Sequence, residues 1–169
     1  MIKSIFCFCL LVLGANAFAQ DYQGKRIHAR INVEKNLYEK ITKALDLIER
    51  GLEEPNFYQK IAETKKFTCL TIPEDQILKT IQESPFEIEL QSEKLSDVVT
   101  ASTSSNIITL NHAYDQNVQE WSNTLFHEML HVIGFSHCGL NNPRLFRFIL
   151  KSVPYKVGDY MEETISALP

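Results

Sequence analysis

The run from His127 to His137, H-E-M-L-H-V-I-G-F-S-H, limits what this chain can fold into more than any other stretch. His127 and His131 stand four apart, so on a helix their imidazoles stack on one face and can reach a single ion. Glu128 sits beside them. One turn later Gly134 can take the positive φ that ends a helix sharply and turns the chain back. That reversal carries a third imidazole, His137, to the same point. Three neutral histidines leave the fourth position of a tetrahedral zinc open, as a catalytic site requires and a closed structural site does not. A lone helical histidine is ordinarily a solvated or core-edge residue, and H-E-x-x-H alone does arise by accident. The five specified positions together coincide by chance roughly once in 10⁶ to 10⁷ starting points.

His127, Glu128, His131, Gly134 and His137 resemble the zinc signature of the metzincin metallopeptidases, the clan of the matrixins, astacins and adamalysins. The compact size and Phe135 after the glycine look most like a matrixin-type catalytic domain. The match covers about a dozen residues, and the rest of the chain is compatible with it without demanding it. The resemblance implies an α+β zincin fold: a mixed twisted sheet, an N-terminal helix, an active-site helix and a small C-terminal subdomain. It implies a metalloendopeptidase with one catalytic Zn²⁺ on His127, His131 and His137, and with Glu128 as general base and then general acid. Two further features follow from the resemblance. A methionine in a tight turn should lie beneath the zinc, and Met161, in G-D-Y-M, is the one downstream candidate. Its context departs from the usual pattern because tyrosine precedes the methionine, and Asp159 with Glu162 also reads as a helix capping box. A protein or peptide substrate should pair along a sheet edge, for which Asn106 to Asn111 is the candidate strand, against the alternative of a strand buried mid-sheet. The sequence lends no support to a Ca²⁺ site.

Two readings compete with a protease. One is a catalytically inactive zinc-containing binding or inhibitory module, which would have no chemical need for the intact Glu128. The other is a structural protein whose histidines are incidental.

The first 19 residues read as a signal peptide: Lys3, an apolar run from Ile5 to Leu13 too short to span a bilayer, and Ala17-Phe18-Ala19 as the cleavage site. An exported protein, extracellular or periplasmic, is expected, with residues 20–169 as a single catalytic domain and no further membrane span. Loss of Lys3 takes the net charge from −4 to −5. That mildly acidic balance speaks against nucleic-acid or anionic-membrane partners, and a monomer is expected. Cys7 and Cys9 leave with the signal. Cys69 and Cys138 remain, and in an oxidising compartment they can form one disulfide closing a loop of about 70 residues, worth about 2–4 kcal/mol. Cys138 as a metal ligand is the weaker alternative, because His137 already completes the spacing.

Elsewhere, periodicity places the elements. Gln20 to Lys25 reads as a loose terminus and Arg26 to Val33 as a strand with Ile27, Ala29 and Ile31 inward. Glu34 to Arg50 has helical apolar spacing with Gly51 as its stop. A short helix follows Pro55, a strand is read at Lys66 to Leu70, and another helix follows Pro73. Phe86 to Leu90 alternates as a half-buried strand, and Gln91 to Ser105, rich in Ser and Thr, reads as loop. After Gly139, Asn142-Pro143 predicts a helix over Leu145 to Lys151, and Pro154 reads as an interruption. His28 and His112 read as surface residues.

Overall fold

Alternating apolar side chains build the sheet. In β2 (Ile27–Val33) the buried residues are Ile27, Ala29, Ile31 and Val33, and in β3 (Phe86–Glu93) they are Phe86, Ile88 and Leu90. The parallel register pairs Ala29 with Ile88 and Ile31 with Leu90, so the two rows lie on one face. The computed structural model describes residues 18–137 and 150–169. Within them, β1 (Phe18–Gln23), β4 (Ala101–Ser104) and β5 (Ile107–Asn111) complete a five-stranded mixed sheet in the order β1-β2-β3-β5-β4. The three central strands are parallel, and both edge strands pair antiparallel. The opposite face carries His28, Arg30, Glu87 and Glu89, so the described helices lie on the apolar face.

Among the described residues five α-helices complete an α+β architecture: α1 (Lys35–Glu53), α2 (Pro55–Glu63), α3 (Ile77–Glu83), α4 (Val118–Val132) and α5 (Val153–Ser166). The stripe Leu37, Ile41, Ala44, Leu45, Ile48 and Leu52 buries α1 against β2 and α4. Helix α4 has Trp121, Leu125, Phe126, Met129 and Leu130 in the core. Its first turn is closed by a capping box: the Glu120 amide donates to Asn117 Oδ1 at 3.0 Å, and the Asn117 amide donates to Glu120 Oε2 at 2.8 Å. Beyond the active stretch, the expected C-terminal subdomain consists, among the described residues, of α5 packed on α1, α2 and α4.

Several expectations are corrected. Asn106 to Asn111 is not a sheet edge, because β5 is paired with β3 on one side and β4 on the other. The edge is β4, in the Ser/Thr-rich stretch read as loop. It reverses into β5 through Ser105-Asn106, with Ser105 at φ 58°, the positive value that tight hairpins demand at a central residue. The supposedly loose terminus is strand β1. Gly51 does not stop α1, which runs on to Glu53; it is buried where a Cβ would overlap the Met161 sulfur. Met161 is therefore not in a tight turn: it lies inside α5, fully buried, seated on that glycine. Pro154 starts α5 rather than interrupting it, since proline's missing N–H is harmless in a first turn, and Asp159 with Glu162 is no cap. The strand expected at Lys66 to Leu70 reduces to one bridge, Thr68 to Ser152. The helix expected over Leu145 to Lys151 lies almost wholly outside the described residues.

Removal of the α4 capping side chain by Asn117→Ala should cost about 1 kcal/mol, a fall of about 2–4 °C in a thermal melt. An unchanged melting temperature would show that the cap contributes nothing.

Candidate metal centre

Helix α4 is set by its buried stripe, which turns the opposite side of the helix, with His127, Glu128 and His131, toward a cleft of about 890 Å³. The cleft is bounded on one side by β4 and on the other by Tyr155 and Asp159 of α5. The helix ends in a Schellman turn. The Phe135 amide donates to the Leu130 carbonyl and the Gly134 amide to the His131 carbonyl, both at 3.0 Å, with Gly134 at φ 100°. Phe135 and Leu130 are both buried, the apolar contact that accompanies this motif. Gly134 thus turns the chain as its sequence position predicts, and the reversal brings His137 over α4.

The three imidazoles meet. His137 Nε2 lies 3.0 Å from His127 Nε2 and 3.0 Å from His131 Nε2, and the cluster is of a size to hold a metal ion. Two nitrogens about 2.05 Å from a tetrahedral zinc are about 3.3 Å apart, close to this spacing. The outward side of each ring is also engaged. His131 Nδ1 is 2.7 Å from the Phe135 carbonyl, His137 Nδ1 is 3.0 Å from Ser152 Oγ, and His127 is hydrogen-bonded to the backbone of Pro154, which offers only a carbonyl. A carbonyl can only accept. On His131 it fixes the proton at Nδ1 and leaves the Nε2 lone pair aimed into the cluster, and the Pro154 contact asks the same of His127. Converging lone pairs suit a cation, so the donor set fits zinc.

Burial, then the charge of His131 and His137, lowers the pKa of His127 to about 3; burial and then His131 lower His137 to about 4. Both are therefore neutral, as ligands must be. Glu128 is 9 % exposed. Burial pushes its carboxyl up, opposed by the hydrogen bond from Thr103 and the charge of His131. Thr103 Oγ1 donates to Glu128 Oε2 at 2.6 Å, and Oε1 has no hydrogen-bond partner among the described residues.

Three neighbours escaped the sequence reading, Ser152 behind His137 among them. Thr103 sits in the unrecognised strand β4. The Tyr155 ring lies 4.6 Å from His127 and 4.7 Å from His137, centroid to centroid, yet nothing in its local sequence marks it. Of the other expected residues, Met161 lies in the core of α5, and Cys69 is in a disulfide. Its expected partner, Cys138, lies outside the described residues. His28 and His112 face Glu87 and Glu34 and stay apart from the cluster.

Ser152→Ala removes the hydroxyl that holds His137 from behind and should weaken zinc affinity about 10- to 100-fold, read by competition with a chromogenic chelator; unaltered affinity would contradict that role. The metal-free protein should also be acid-sensitive. His127 and His137 bind fewer protons folded than unfolded, where imidazole titrates near 6.5. Their contribution is complete above about pH 6.5 and is lost as pH falls through about 4 and 3. Thermal melts of metal-free protein should drop progressively below pH 6.5, and a flat profile down to pH 4 would refute this. Comparison of the chain with protein-family models, curated proteins and solved structures finds no match, so its function has to follow from the geometry of the centre itself.

Proposed function

We propose that this chain is an exported zinc-dependent metalloendopeptidase of metzincin type. The observation that carries the reading is the convergence of His127, His131 and His137 through Nε2, with the Glu128 carboxylate alongside in an open cleft. The metzincin-like fold belongs to the same proposal, supported by the signature and by the α+β architecture with its mixed sheet. When bound by the three histidines, zinc supplies Lewis acidity, which acidifies a water and polarises a carbonyl.

The remaining chemistry belongs to the chain. Among the described residues Glu128 Oε1 has no hydrogen-bond partner, and the residue lines the cleft, so this oxygen can take the proton of the attacking water. Its burial raises the carboxyl toward the working pH, where a group can both accept a proton and release it to the departing amine. The substrate would lie along β4, which among the described residues has pairing groups open on its outer side and forms one rim of the cleft. Main-chain pairing at such an edge gives affinity for any extended peptide, with side-chain pockets setting preference. An inactive zinc-binding module would need no partly free carboxylate at this position.

Zinc-loaded protein should hydrolyse casein and lose that activity to a chelator. Glu128→Gln should retain zinc while its kcat falls by about 10²- to 10⁴-fold. Full hydrolysis by Glu128→Gln would end the mechanism, and zinc binding without hydrolysis by the unsubstituted protein would favour the inactive module.

A further inference from the structure

We propose that Thr103 of β4 is the positioning residue for Glu128, holding one carboxylate oxygen so that the other faces the reaction; this rests on the metalloendopeptidase reading. A glutamate side chain has three rotatable bonds, and a base left free to rotate spends little time at the attacking water. Thr103 Oγ1 at 2.6 Å from Oε2 removes that freedom, in a hydrogen bond strengthened by the charge of its acceptor. Among the described residues it is the carboxylate's only hydrogen bond, so the two oxygens are divided between an anchored one and a free one.

Strand parity selects this residue. Ala101 and Thr103 are half-buried on the helix side of β4, whereas Ser102 and Ser104 are exposed on the other. Thr103 is thus the hydroxyl residue of β4 that faces α4. Its oxygen is also 3.3 Å from the Glu128 main-chain carbonyl, but a hydroxyl has one proton, and the closer, charged acceptor takes it. Threonine's β-branch stiffens χ1, which serine lacks. The strand itself is fixed by its register, Thr103 opposite Ile108, and Ile108 is fully buried. The anchor of the base therefore rides on the same strand that offers its outer edge to a substrate. A defect in the anchor should disturb orientation during the chemical step and leave the pairing edge intact.

The test compares Thr103→Val, which replaces the hydroxyl by a methyl of similar size, with Thr103→Ser, which keeps the donor. With zinc-loaded protein and a quenched peptide, Thr103→Val should lower kcat about 10- to 100-fold with KM changed less than about twofold. Zinc content should be unchanged, and Thr103→Ser should recover most of the loss. If Thr103→Val does not fold, Thr103→Ala serves as the donor-less variant under the same criteria. A donor-less variant with kcat within about twofold of the unsubstituted protein, or a loss confined to KM, overturns the proposal, as does a Thr103→Ser variant no better than Thr103→Val. Failure of the unsubstituted zinc-loaded protein to cleave any peptide overturns the metalloendopeptidase reading, and this proposal with it.

Discussion

The rotational setting of α4 governs everything in the cleft. A helix advances about 100° per residue, so fixing Trp121, Leu125 and Met129 in the core fixes where His127, Glu128 and His131 point. A rotation of even one residue's worth would send both imidazoles away from His137 and drive Glu128 off Thr103. Trp121, Phe126 and Leu125 are fully buried against α1, α5 and the sheet, and large side chains in a close-packed interior tolerate little rotation. The precision of the site is thus a property of packing on the far side of the helix.

The third histidine is positioned by a different device. His137 follows a helix stop, and such a segment would be free to wander were it not tied down. Three ties are visible: the Schellman pair at Gly134 and Phe135, the Thr71 hydroxyl donating to the Gly134 carbonyl at 2.7 Å, and Ser152 behind the ring. Ser152 is itself bridged to Thr68, next to the disulfide-bonded Cys69. The segment 67–71 therefore braces the centre from outside the helix, linking residues far apart in the chain.

Where a structural cause is local, the sequence announces it. The imidazole spacing, the helix-ending glycine and the alternation in β2 and β3 depend on neighbours a few residues away, and each is found where its pattern puts it. The misreadings involve causes that are not local. Strands β1 and β4 are held by backbone pairing to strands already present, so their polar sequences, F-A-Q-D-Y-Q and A-S-T-S, bear no alternating apolar mark. Gly51 looks like a helix stop until Met161, 110 residues later, is seen filling the space its missing side chain leaves. Thr103 and Tyr155 acquire their meaning from tertiary proximity to Glu128 and His127, which no spacing rule encodes.

The arrangement of the three imidazoles has an energetic consequence for the fold. The Phe135 and Pro154 carbonyls hold the protons of His131 and His127 on their outward nitrogens, so the inner lone pairs of these two rings face His137 Nε2 at about 3.0 Å in a buried setting that disfavours protonation. Burying three imidazoles together costs solvation, and the stability that maintains the cluster comes from the aromatic and aliphatic core around α1 and α4. A divalent ion at that point would replace these contacts with shared coordination. Binding free energy at a site already held open by the fold goes into affinity, whereas a site that had to be assembled by the metal would spend much of it on ordering. The core thus constrains the three histidines in advance, and an ion bound there would meet a site that folding has already assembled.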